Sequence, residues 1–159
     1  MKLSLLAVGK VRGPVAEAVA DYESRIRRYF TYAAVEVKEE SFRSASDAER
    51  VRGEEGKRLL AKVGTGMDVV ALHRGGTQWS SERLSAYLAD LAVKASPGAA
   101  FVIGGAFGLS DELLARATHK LSISAFTLPH ELARLMLTEQ IYRAGTIARG
   151  EPYHKGRDT

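Results

Sequence analysis

Apolar residues fall along this chain in short blocks, and the period inside each block tells strand from helix. Leu3 to Val8 is an apolar run closed by Gly9, and Ala99-Ala100-Phe101-Val102-Ile103 is another with no polar alternation. Both read as strands covered on two faces. Met67 to Leu72 is a third strand, released into His73-Arg74-Gly75-Gly76, while Ala33 to Val37 and Lys120 to Ser124 alternate. Between the strands the spacing predicts helices. One runs from Pro14, suited to a first helical turn, to about Phe30, where Arg25, Arg27 and Arg28 complement the C-terminal dipole. Another is capped by Ser80 or Ser81 and carries Leu84, Leu88 and Leu91 on one face, and Pro97-Gly98 then turns the chain into the Ala99 strand. Ser110-Asp111-Glu112 opens a short helix, and the longest runs from His130 to Ala148. Strands alternating with helices predict an α/β fold, with a mostly parallel sheet and helices on both faces.

Lys38 to Arg58 breaks this pattern with dense charge of both signs, which predicts a solvated helix held by near-neighbour pairs and weakened by Gly53 and Gly56. No chemistry is assigned to it. On the His130–Ala148 helix, Glu139 and Arg143 fall within about 20° of Leu132 at 100° per residue. They stand one turn apart, in the favourable Glu-before-Arg order. Either they form a buried structural ion pair, at a subunit interface for instance, or Glu139 holds Arg143 toward a phosphate or a developing anion.

Composition narrows the chemistry. At 159 residues and 45% hydrophobic, the chain, residues 1–159, is expected to be one domain with a real core. It has no cysteine, which excludes disulfides and thiolate chemistry and fits a reducing cytoplasm. Met1 leads straight into a strand-like run too short for a signal segment, and no apolar stretch approaches membrane-spanning length. A net charge of +4 favours an anionic partner only weakly. No histidine or acidic cluster has metal-ligand spacing, and Ser122 and Ser124 lack a G-x-S-x-G context. Gly104, Gly105 and Gly108 serve either as a tight strand-to-helix turn or as a backbone that a ligand approaches closely. They lack dinucleotide-binding spacing.

Several of these stretches, taken in order, carry a resemblance. Val102-Ile103-Gly104-Gly105 with Gly108, Ser122-Ile123-Ser124 with Thr127-Leu128-Pro129-His130, Glu139-Gln140-Ile141-Tyr142-Arg143-Ala144 and Pro152-Tyr153-His154 resemble the RlmH family. Leu3 to Lys10 and Val69 to Leu72 fit it as well, so the resemblance covers nearly the whole chain. That family consists of SPOUT-class methyltransferases of bacterial large-subunit (23S) ribosomal RNA. The resemblance implies a C-terminal trefoil knot, against the general rule that chains do not thread their own loops. It also implies a homodimer and S-adenosylmethionine as cofactor. The cofactor would be held by Leu72, Gly104 and the run Ile123, Ser124, Ala125, Phe126, Thr127 and Leu128. The implied reaction methylates N3 of a pseudouridine, within the ribosome and in the cytoplasm, with no metal and no membrane. Such a transfer needs a base for the imide proton and a group to stabilise the anion. His154 is the candidate base and Arg143 the candidate stabiliser, with Tyr153 positioning the base or nucleotide. The rival expectations are a catalytically idle RNA- or ribosome-binding module of the same fold and a small-molecule α/β enzyme.

Overall fold

A computed structural model describes residues 1–154, His154 through its backbone only. Five strands form one sheet: β1 (Lys2–Val8), β2 (Thr31–Val37), β3 (Asp68–Gln78), β4 (Gly98–Ile103) and β5 (His119–Ser122). Every pairing is parallel and the order is β2-β1-β4-β3-β5, so the uninterrupted apolar run of β4 takes the centre. That run divides with period two. Ala99, Phe101 and Ile103 pack on one face with Ile26, Leu84, Leu88, Leu137 and Ile141, whereas Ala100 and Val102 pack on the other with Leu59, Leu109 and Leu113. Burial of this strand on both faces is why no polar residue interrupts it.

Helices α1 (Gly13–Ile26), α3 (Ser81–Val93) and α5 (His130–Ala148) supply the first of these layers, and α2 (Ala48–Leu60) and α4 (Asp111–Arg116) the second. Ser80 and Ser110 cap α3 and α4 by accepting from the Arg83 and Leu113 amides at 3.1 and 3.2 Å. α1 stops at Ile26, short of the expected Phe30, and the Tyr29 and Phe30 amides turn back to the Ile26 carbonyl. This turn sends Tyr29 onto α5 at Gly145, where a Cβ would stand 2.6 Å from its ring. Of the three arginines expected to complement the dipole, only Arg25 lies in the last helical turn.

β3 does not end at Leu72. It continues through His73-Arg74-Gly75-Gly76 with a bulge, so that Leu72 and Thr77 both pair with Leu121. Gly76 is required by close approach, since a Cβ there would stand 2.5 Å from the Lys120 carbonyl oxygen. The charged stretch differs too. Residues 38–44 are a loop, a 3-10 turn spans Ala45–Asp47, and α2 begins only at Ala48. Lys57 pairs with Glu54 along the helix at 3.3 Å, as expected, but three of the α2 charges reach back to that loop. Arg50 donates to the Ser41 carbonyl at 3.0 Å, Arg58 to the Lys38 carbonyl at 3.0 Å and to Glu40 at 2.5 Å. Asp47 accepts the Arg43 amide at 2.8 Å and Glu55 the Glu40 amide at 3.1 Å.

No helix among the described residues is long and apolar enough to cross a membrane.

Candidate active site

With all five strands parallel, their carboxyl ends share one edge of the sheet, the position where open α/β sheets bind ligands. A cavity of about 190 Å³ opens there between the glycine turn after β4 and the segment after β5. Leu72, Gly104, Ile123, Ser124, Phe126, Thr127 and Leu128 all line it, together with His73, Arg74 and the first turns of α5 at His130 and Ala133. Ala125 is exposed and stands off the wall.

Local bonds shape both sides. In the glycine turn the Gly108 amide donates to the Gly105 carbonyl at 3.0 Å, and Gly108 adopts φ +79°, which a side chain would disfavour. Gly104 is excluded from having a side chain by its own loop, because a Cβ would stand 2.7 Å from the Gly108 carbonyl carbon. Across the cavity, Ser122 Oγ donates to the Ser124 carbonyl at 3.0 Å and Ser124 Oγ accepts the Phe126 amide at 3.0 Å. Those hydroxyls therefore fold the segment instead of offering a nucleophile. Arg74 donates to Thr127 Oγ1 at 2.9 Å, placing a cation on the wall.

A second polar group lies on the C-terminal half of α5. Arg143 donates to Glu139 Oε1 through Nε at 3.0 Å and Nη2 at 2.6 Å, and the Tyr153 hydroxyl donates to the same oxygen at 3.0 Å. The guanidinium also lies 4.9 Å from the Tyr153 ring centre. Burial, with hydrogen bonds to Tyr22 and Glu139, pushes the Tyr153 hydroxyl above its ordinary value, so near neutral pH it is a donor and not a base. The hydrogen bond to Glu139, outweighing partial burial, raises Arg143 as well. Tyr153 is no loose tail residue. Its ring packs 4.7 Å from that of Tyr142, and Tyr29 donates to Glu151 at 2.5 Å, which ties the segment after α5 back onto α5 and the turn after α1.

Within one chain the cavity and this group remain apart. Ala133 is the last α5 residue on the cavity wall, and Arg143 lies about 15 Å farther along the axis at 1.5 Å per residue. The backbone of His154 closes the final 3-10 turn, Pro152–His154, and its side chain lies outside the described residues. The Glu139–Arg143 pair is half-buried, with side chains 18% and 27% exposed, on the helix face that also bears the exposed Leu132 and Met136.

The buried cation on α5 is instead Arg134, which the sequence reading passed over. Its side chain is 6% exposed and reaches Glu23 of α1 at 3.2 Å and Glu36 of β2 at 2.9 Å. The available signal was spacing: Arg134, Leu137, Thr138 and Ile141 share one face, and all four are buried. Among the described residues no group of three or more histidine or acidic side chains is placed to hold a metal.

A parallel sheet with a cavity at its carboxyl edge agrees with the sequence comparison: the chain belongs to the SPOUT methyltransferase family, whose model, described as "Predicted SPOUT methyltransferase", matches residues 1–154. Two proteins named ribosomal RNA large subunit methyltransferase H, from Syntrophotalea carbinolica and Gemmatimonas aurantiaca, are 45% and 44% identical to it. The matches cover 97% and 98% of this chain and 99% and 100% of theirs. A Legionella pneumophila protein solved with the cofactor SAM bound shares the fold, with a TM-score of 0.50 and 12% identity over 91% of this chain and 66% of that one.

Proposed function

We propose that this chain methylates N3 of a pseudouridine in bacterial large-subunit ribosomal RNA, using S-adenosylmethionine. The full-length identity to proteins named for large-subunit rRNA methylation carries the reading. The cavity suits the cofactor. Apolar Leu72, Ile123 and Leu128 offer surfaces for a purine, and the glycine turn and the Ser124–Leu128 segment offer backbone polar groups to its edge. Arg74 suits its carboxylate, and a Cβ at Gly108 would meet nothing within 4 Å, so the missing side chain leaves open space at the wall.

The cofactor, when bound, supplies an electrophilic methyl group. The chain's part is to hold that methyl in line with the ring nitrogen, which accounts for much of the rate. It must also accept the N3 proton, assigned to His154, and stabilise the resulting negative charge, assigned to Arg143. Tyr153, a protonated donor bonded to Glu139, orients Arg143.

Because Arg143 and Tyr153 are far from the cavity of their own chain, the reading includes a homodimer in which a second copy packed along α5 completes each site. The exposed Leu132 (41%), Met136 (42%) and Phe126 (81%) are apolar surface available for that contact. A single domain, a trefoil-threaded C-terminal segment, the ribosome as substrate and a cytoplasmic location belong to the same proposal.

Nucleoside mass mapping of rRNA from a strain lacking the gene tests it. One methylated pseudouridine should be missing and should return with the wild-type gene, while His154→Ala should slow single-turnover transfer roughly a hundredfold or more. Unchanged rRNA in the deletion strain would refute the activity. Cofactor and ribosome binding without methyl transfer would leave an idle binding module.

A further inference from the structure

We propose that Phe42 and Phe107 form a stacking platform for an unpaired base of the RNA substrate, beside the methyl-transfer cavity; this rests on the rRNA reading and extends it. The two rings meet edge to face with centres 4.6 Å apart, joining the loop after β2 to the glycine turn after β4. Phe107 belongs to the turn whose Gly104, Gly105 and Gly108 line the cavity, yet its side chain is not on that wall and meets Phe42 outside it. Phe42 is 48% exposed and belongs to neither hydrophobic core.

An exposed ring with no core function would be expected on a loose loop, but this loop is braced. Arg50, Asp47, Glu55 and Arg58 of the following segment bond to Ser41, Arg43, Glu40 and Lys38 respectively. Glu55 also backs the glycine turn, with Oε1 placed 2.8 Å from where a Gly105 Cβ would stand. One helix thus fixes both loops and holds the aromatic pair in a set geometry, which lowers the entropy cost of binding.

The surrounding charge selects the partner. In the sheet order β2-β1-β4, the loops after β1, β2 and β4 are neighbours at the carboxyl edge. Lys10, Arg12, Lys38 and Arg43 on the first two are exposed and outnumber the exposed Glu39, and none of these five forms an ion pair among the described residues. Arg50 and Arg58, by contrast, are engaged with Glu40. An aromatic edge among uncommitted cations is the arrangement that single-stranded RNA takes, base on ring and phosphate on cation.

Phe42→Leu and Phe42→Tyr, assayed for methylation of intact ribosomal particles, separate stacking from simple packing. Leucine should raise KM for the particles about tenfold, the loss of one stacked base, while tyrosine stays within about twofold of wild type. Affinity for S-adenosylmethionine by calorimetry and dimer mass by light scattering should stay unchanged in both. Equal tolerance of leucine and tyrosine would overturn the platform. So would a parallel loss of cofactor affinity, which would make the pair a brace for the glycine turn, or a loss traced to dissociated dimers. If the wild-type protein methylates no rRNA, the underlying reading falls first and takes the platform with it.

Discussion

Helix α5 carries two arginines that both pair with glutamate, and their surroundings give them opposite roles. Arg134 bonds across elements, to Glu23 on α1 and Glu36 on β2, with its side chain 6% exposed. Arg143 bonds within its own helix to Glu139, one turn back, and is 27% exposed. A buried cation shared by two other elements is a fastener: it can leave neither partner without stranding a charge. A cation steadied from its own helix, with a tyrosine as second donor to the same carboxylate, is positioned without being consumed. The difference separates an arginine that holds the fold from one that can be presented to a second molecule.

The most direct way to break the comparison is Arg134→Ala. Removing the cation strands the buried Glu23 carboxylate, while Glu36 stays open to solvent, and stability should fall by about 3 kcal/mol. Urea unfolding measures this, and a loss below about 1 kcal/mol would show that the cross-element pairing does not hold α5 down.

Arg143→Ala should behave in reverse. A half-exposed pair one turn apart contributes little, so stability should change by less than about 1 kcal/mol. Methyl transfer should nonetheless drop about a hundredfold, the typical loss on removing one anion-stabilising donor. Arg143→Lys should recover only part of it, because an ammonium lacks the forked geometry that spans Glu139 and a second anion. Single-turnover rates together with melting temperatures settle this; a variant that unfolds as readily as Arg134→Ala would erase the distinction.

The sheet was legible in the chain because burial on two faces leaves an uninterrupted apolar run, as in Ala99 to Ile103, and because Ser80 and Ser110 mark helix starts by chemistry that needs no tertiary context. The cofactor-side residues came from a motif resemblance, and the fold draws all but Ala125 to one cavity wall. Three features were not legible. Gly75-Gly76 reads as a turn, yet Gly76 is a bulge that lets β5 approach. Charges on α2 look like solvated neighbours, and Lys57 and Glu54 are, though Arg50, Glu55 and Arg58 serve a loop earlier in the chain. On α5 the wheel was centred on Leu132, which is exposed, while the chain's own core covers the face of Arg134 and Ile141. Apolar periodicity marks which faces avoid water; on a helix whose apolar and charged residues are spread round its girth, it does not tell which face the chain itself covers.

The smallest effect, and the sharpest extension of the contrast, concerns a glutamate with no arginine. Glu55 is 3% exposed, as hidden as Glu23 at 7%, and its Oε1 has no hydrogen-bond partner among the described residues. Arg58 is close but is committed to Glu40 and the Lys38 carbonyl. Burial therefore pushes the Glu55 carboxyl above its ordinary value, against the opposing pull of the Glu40 amide. A raised folded-state pKa means that the folded protein binds the proton more tightly than the unfolded chain. The associated stability is fully present below the unfolded value, about 4.3 for glutamate, and is lost as pH rises through the folded one. Glu55→Gln keeps an acceptor for the Glu40 amide but cannot ionise. It should therefore melt slightly above wild type near neutral pH, with the advantage vanishing near pH 4. A pH series of thermal melts measures this directly, and parallel curves for variant and wild type would mean that Glu55 stays charged beside the glycine turn at no cost to the fold.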